Sequence, residues 1–318
     1  MKEILNKYEN YLRTQGRSEN TIKNYCCDLN KFIKYFEEVK GQGDVFYSIS
    51  VIDLMEYVNY IKFHCGKNNT EANPKTINRN ISTLKKFYEW MKKCNIIHYN
   101  DMKEIEFVST PKNQSVIYMD LDESKCFMRS VITGQEKKER CSDFAGARDE
   151  LMFKIYLDSG LRCEELLDVK LNDIYLKKKM IKIRSGKGDK ERYVPITDKT
   201  IELYYKYMKV REKRNKNNSD YLILNNRGGQ MSKSGVLKLT KYYAKNSQLN
   251  SELAEKITPH KLRHSFATIQ SDLGTPISTI SKTLGHSKIA TTQNIYIHLD
   301  TEKMLNATRE NSKALDNY

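Results

Sequence analysis

The sequence predicts a mainly α-helical protein of two domains with one small antiparallel β-sheet. Three observations carry that expectation. Apolar residues recur at intervals of three and four along most of the chain, the helical period. Alternation at an interval of two is confined to Ile174 through Ile196, where Ser185-Gly186-Lys187-Gly188 interrupts it as a turn would. The length of 318 residues also exceeds what one hydrophobic core usually holds, about 250 to 300 residues.

In chain order, Met1 to Thr14 reads as a short amphipathic helix. Ser18 caps a second helix, in which Ile22, Tyr25, Cys26, Leu29, Phe32, Ile33 and Phe36 share one face. Ser50 with Asp53 makes a capping-box-like start to a third helix carrying Val51, Leu54, Met55 and Val58. Asn73-Pro74 opens a fourth, carrying Ile77, Ile81, Leu84, Phe87 and Met91. Four helices with short connections predict a small bundle. Between Phe107 and Val116 the apolar pattern lapses into STPKNQS, and Pro111 disfavours helix at the residue before it, so the domain linker falls at 109–116. Further on, Asp122 to Thr133 and Ala145 to Ser159 read as helices around a charged loop, GQEKKERCSD. Ile174 to Ile183 and Arg192 to Ile196 are expected as strands. Helices dominate again from Thr197. Pro259 and Pro276 each stand where a helix would begin, which gives His260 to Leu273 and Ile277 to Leu284, separated by Gly274.

Composition narrows the function classes. The net charge is +15 with a pI near 9.3, and it is unevenly placed. Residues up to Thr110 hold 17 Lys and Arg against 14 Asp and Glu, whereas the remainder holds 38 against 26. A basic excess of this size favours a polyanion, because each phosphate neutralised releases counterions. The other reading is a solvated, lysine-rich surface. Seven cysteines, none spaced as CxxC, indicate neither a disulfide framework nor a zinc site, and they fit a reducing cytoplasm. No apolar run approaches the ~18 residues of a membrane span, and no leader pattern opens the chain.

Chemistry-bearing residues concentrate in the last half. Arg162, in GLRCEEL, follows the Ser159-Gly160 break and has Glu165 three residues on. A carboxylate-fixed guanidinium can offer parallel N–H donors to two phosphate oxygens, or can simply be a structural ion pair. Lys187 lies between two glycines, in a stretch from Lys177 to Arg192 with eight basic and two acidic residues. An ammonium there could protonate a leaving alkoxide, or belong to a solvated loop. His260 and Arg263, in HKLRH, share a face at a helix N-terminus whose dipole favours an anion. His264, next to Arg263, is expected to point elsewhere. His286, in LGHS, sits on a glycine corner, and Tyr296 follows ten residues later. A phenol with a pKa near ~10 needs neighbouring cations or a base to act as a nucleophile. HExxH, the GxxxxGK[ST] P-loop and GxSxG are all absent, so metal-dependent, nucleotide-dependent and serine-hydrolase chemistry find no support.

Arg162 with Glu165, Lys187, His260 with Arg263, His286 and Tyr296, set in GLRCEEL, GKGDKERYVPI, TPHKLRHSFAT and LGHSKIATTQNIYIH, resemble in order and spacing the catalytic set of the tyrosine recombinase (phage integrase) family. One departure is an extra residue between His286 and Tyr296, TTQNIYIH where TTxIYxH is common. The resemblance implies a SAM-like, core-binding helical domain over 1–108 and a mostly helical catalytic domain of the DNA breaking-rejoining type over 117–318, with a C-terminal tail at 301–318. It implies that Tyr296 attacks a scissile phosphate to form a 3′-phosphotyrosyl link without metal, cofactor or ATP. By the same resemblance Arg162 and Arg263 clamp the phosphate, Lys187 is the general acid, His260 handles the tyrosine proton and His286 supports the phosphate.

The implied partners are double-stranded DNA with specific sites and three further copies of the chain on synapsed DNA, with directionality or accessory proteins in addition. The free protein is expected as a monomer or dimer, and no membrane is involved. The chain opens directly in the first core-binding helix, which resembles the two-domain Xer layout. The lysine- and tyrosine-rich sequence favours a mobile-element integrase or transposase over an Xer-type dimer resolvase. A type IB topoisomerase-like relaxer and a noncatalytic DNA-binding module are the alternatives from other classes.

Overall fold

A computed structural model of the chain describes residues 2–39, 41, 49–64, 70–110, 116–136, 143–184, 191–215 and 217–285. Packing divides the chain into two units, Met1–Gln114 and Ser115–Tyr318. Among the described residues no helix is long and apolar enough to cross a membrane.

In the first unit, α1 (Lys2–Thr14), α2 (Glu19–Val39), α3 (Val51–His64) and α4 (Pro74–Lys93) enclose one core, and a 3₁₀ turn at Asp101–Lys103 inserts Met102 into it. The start of each of the last three helices follows from its sequence. Ser18 Oγ accepts the Thr21 N–H at 3.3 Å, Ser50 and Asp53 cap each other reciprocally, and Asn73 Oδ1 accepts the Lys75 N–H at 2.9 Å ahead of Pro74. The core is aromatic. Tyr8 meets Phe87 edge-on at 4.9 Å, and Phe32 meets Tyr57 at 4.8 Å in the same geometry, which suits the ring quadrupoles. Buried Asp28 ties α2 to α4 by accepting from Arg79 at 2.7 Å and Thr83 at 3.3 Å.

The second unit is built around α6 (Asp143–Ser159). Its buried residues run without a break from Phe144 to Phe153 and continue with Ile155, Tyr156 and Ser159, so every side of the helix is covered. That is the pattern of a central helix rather than a surface one. Packed on it are α5 (Leu121–Glu136), α8 (Asp198–Arg214), α11 (Pro259–Asp272) and the strand Arg192–Pro195. A short α7 (Cys163–Leu167) follows, and α9 (Lys233–Lys245), α10 (Ser251–Lys256) and α12 (Ile277–Leu284) complete the helices of the described residues.

The sheet is antiparallel and has three strands, β1 (Ile174–Tyr175), β2 (Met180–Ile183) and β3 (Arg192–Pro195), in that order. The expectation of a single strand over Ile174 to Ile183 is corrected here. Leu176–Lys178 forms a 3₁₀ turn and Lys179 adopts a left-handed conformation (φ 52°), so the chain reverses and Tyr175 pairs with Met180. The triple-lysine run has no apolar residue to place on the inner face, and a turn lets all three ammonium groups reach water. In β2 and β3, Ile181, Ile183 and Val194 face the core, while Lys182 and Tyr193 point outward.

Candidate active site

Gly160 ends α6 in a left-handed conformation (φ 58°), and a Cβ there would lie 2.3 Å from Phe266 Cδ1. The bare glycine lets the chain turn against α11 and deliver Arg162 to the N-cap of α7. From that position the Arg162 N–H donates to Glu165 Oε2 at 2.8 Å, and its guanidinium Nη1 donates to Glu165 Oε1 at 2.7 Å. Glu165 also accepts a forked pair of bonds from Arg192 on β3, Nη1 to Oε1 at 3.0 Å and Nη2 to Oε2 at 2.7 Å. Arg263, on α11, lies 3.8 Å from the same carboxylate. Three guanidinium groups therefore surround one carboxylate, and the cluster carries a surplus of positive charge suited to an anion.

The three arginines also share a second anchor. Helix α12 ends at Leu284 with Gly285 in a left-handed turn (φ 67°), which leaves its last carbonyls without intrahelical partners. Arg192 Nε donates to Thr283 O at 2.8 Å, Arg263 Nη2 to Leu284 O at 2.7 Å, and Arg162 Nη2 to Gly285 O at 3.1 Å. Three successive carbonyls at the negative end of a helix each take a donor from a different arginine. Arg263 is further fixed by Nη1 on Gly160 O at 2.8 Å.

The groups differ in their access to solvent. The Arg162 side chain is 37% exposed and that of Arg263 only 4%. Burial, seconded by the charge of Arg162, pushes the Arg263 guanidinium down to about 10, so it remains charged at neutral pH. Burial opposes ionisation of Glu165, but the bonds from Arg192 and Arg162 outweigh it and hold the carboxyl at about 2. His260 occupies the first turn of α11 and is exposed. Partial desolvation, then the charges of Arg263, Lys261 and Arg162, lower its pKa below the ordinary value. The shift favours the neutral form, which can accept a proton.

Of the residues the sequence singled out, Arg162, Glu165, His260 and Arg263 are brought together. Lys187, His286 and Tyr296 lie outside the described residues. The placement of His264 is corrected. It lies one turn after His260, on the same face of α11, and its ring meets the His260 ring edge-on with centroids 4.5 Å apart. Adjacency to Arg263 suggested a different direction, but the i, i+4 relation to His260 decides.

Sequence reasoning missed Arg192. It stands inside the GKGDKER word but was read only as one more basic residue of the hairpin. Its alternation with Val194 and Ile196 was the available signal, since an arginine entering a strand at a core-facing position needs a buried acceptor.

The sequence pattern of the phage integrase family matches residues 118–303, and that of the phage integrase N-terminal SAM-like domain matches residues 5–95. Tyrosine recombinase XerC of Caldanaerobacter subterraneus subsp. tengcongensis is 31% identical over 97% of this chain and 86% of its own length. Tyrosine recombinase XerD of Listeria innocua serovar 6a is 30% identical over 94% and 95%. Among solved structures, the post-cleavage complex of XerH site-specific recombinase with a palindromic difH substrate superposes with a TM-score of 0.71, at 25% identity over 96% of this chain and 83% of that one. The chain belongs to the phage integrase family and is a tyrosine-type site-specific DNA recombinase.

Proposed function

We propose that residues 117–318 cut and rejoin DNA through a 3′-phosphotyrosyl link to Tyr296, with Arg162 and Arg263 binding the scissile phosphate. The observation that carries this reading is the arginine cluster on the end of α12. Donors from residues 162, 192 and 263 converge on one carboxylate and one helix terminus, and their charge exceeds what Glu165 neutralises. Preorganised cations of this kind stabilise the charge that grows on a phosphoryl group in the transition state. Arg162, the more exposed arginine, meets the phosphate from the open side, and Arg263 supports it from beneath. His260, exposed and favoured in its neutral form, accepts the Tyr296 proton. Lys187 protonates the departing 5′ oxygen, and His286 supports the phosphate. The bond energy is kept in the tyrosyl ester, so the cycle needs no metal, cofactor or ATP.

Residues 1–108 form the core-binding domain, which holds the duplex together with the catalytic domain across a linker at 109–116. Four copies assemble on two synapsed sites, with residues 301–318 reaching a neighbouring copy, and the free protein is a monomer or dimer. The protein works in the cytoplasm, where its DNA is. The sequence favoured an integrase or transposase. A second reading, an Xer-type dimer resolvase, is favoured by the relatives named XerC and XerD, which match nearly the whole chain.

The test is covalent capture from a pool of duplexes with randomised centres. Wild-type protein is expected to yield detergent-stable adducts enriched in one site, and Tyr296→Phe is expected to yield none. Undiminished capture by Tyr296→Phe would remove Tyr296 from the mechanism, and enrichment without a defined site would point to topoisomerase-like relaxation.

A further inference from the structure

We propose that Arg192 is a positioning residue of the catalytic centre, which locks Glu165 and the end of α12 so that Arg162 presents one fixed set of donors. The inference deepens the function proposed above and rests on it for its kinetic readout.

Glu165 has four lone-pair positions, and the structure fills four. Arg162 supplies two donors, its N–H and Nη1, and Arg192 supplies the other two, Nη1 and Nη2. Without Arg192 the carboxylate would keep bonds from Arg162 alone and could rotate with it. The forked pair from β3 removes that freedom, because two parallel bonds fix the carboxylate plane as well as its position. Arg192 also fixes the other end of the Arg162 guanidinium. Its Nε holds Thr283 O, two residues before the Gly285 carbonyl that receives Arg162 Nη2. Its guanidinium lies so close under Gly285 that a Cβ there would fall 2.8 Å from Nη1. A side chain at 285 would therefore have to displace the Arg192 guanidinium, and the positive φ favours glycine there as well.

Arg192 is the first residue of β3 and Ile183, its partner, the last of β2, so Arg192 stands at the base of the connection that carries Lys187. Beside it, Arg184 donates to buried Asp173 at 2.8 Å, so each end of that connection is tied to a carboxylate. The side chain of Arg192 is only 14% exposed, and its Nε, Nη1 and Nη2 each donate to the carboxylate or the helix end that also holds Arg162.

The experiment compares wild type, Arg192→Gln, Arg192→Lys, Glu165→Gln and the Glu165→Gln/Arg192→Gln double variant. It uses a nicked form of the duplex recovered by wild-type capture, measuring single-turnover adduct formation and equilibrium binding separately. Arg192→Gln is expected to slow adduct formation about tenfold or more while duplex affinity stays within about twofold, as misplacement of a phosphate clamp does. Arg192→Lys should stay at least about threefold slow, because one ammonium cannot span both carboxylate oxygens. The double variant should be no slower than the slower single, since both changes break one unit. Arg192→Gln capture within twofold of wild type, equal losses of rate and affinity, or multiplied losses in the double variant would each overturn the proposal.

Should Arg192→Gln fail to fold, Arg192→Lys carries the same comparisons. A wild type that forms no adduct would overturn the proposed activity instead. The positioning claim is then decided without DNA, by the guanidinium NMR signals of ¹⁵N-arginine-labelled protein, with those of Arg162 assigned from Arg162→Lys. They are expected to shift and broaden in Arg192→Gln, and unchanged signals would refute the lock.

Discussion

Glu165 is the residue on which the arginine cluster turns, the one carboxylate among three guanidinium groups. It neutralises one charge and aligns two guanidinium groups, and the remainder of the cluster stays electropositive. The same excess acts on His260. Because desolvation and the nearby cations lower its pKa, its neutral form persists to more acid pH than an ordinary imidazole. If His260 accepts the tyrosine proton, the rate of covalent capture at limiting duplex concentration, which reports the free protein, should fall only as pH drops below 6.5, the ordinary value, with the acid limb weakened in His260→Gln. A rate–pH profile with its acid limb above 6.5 would exclude that role.

At the scale of elements, the end of α12 gathers what the chain keeps far apart. Arg162 follows α6, Arg192 begins β3 and Arg263 lies in α11, yet all three donate to carbonyls of residues 283–285. Gly160 makes the arrangement possible, since its left-handed turn lets Phe266 and Leu284 close over it while its carbonyl accepts from Arg263. Gly160→Ala places a methyl group against Phe266 and forces a strained backbone. The expected loss is about 2 to 4 kcal/mol, from overpacking and positive φ together. For a unit of this size that corresponds to a fall of roughly 5 to 15 °C in the calorimetric midpoint of the second unit. A midpoint within a degree or two of wild type would mean that α11 yields at little cost. Much of this level was legible beforehand. Ser18, Ser50 with Asp53, Asn73-Pro74 and Pro259 marked helix starts, because capping is decided by residues two or three apart. The break of Ile174 to Ile183 into two strands was not, because the left-handed turn falls on Lys179 and the run from Leu176 to Lys179 holds no Gly, Asn, Asp or Pro to mark it.

For the whole molecule, the two units have separate cores, one centred on α4 and rich in aromatic contacts, the other on α6. Each can therefore carry its own share of binding. If residues 301–318 reach a neighbouring copy, their deletion should leave the affinity for a single site within about twofold and lower recombination between two sites by about tenfold or more. Binding is read by gel shift and recombination on a two-site plasmid. Recombination at the wild-type rate would show that the tail is not part of the assembly.

The sequence by itself determined the helical class, the positions of the caps and the words that carry the chemistry, since periodicity, capping and motif spacing are properties of neighbours along the chain. It also placed Arg162 beside Glu165 and His260 near Arg263, each three residues apart. Only the tertiary structure decided that Glu165 is shared with Arg192, 27 residues away, that three arginines meet the end of α12, and that His264 lies against His260. A buried ion pair is selected by the packing of the elements that carry its partners, and no local pattern records which acceptor a distant arginine will find.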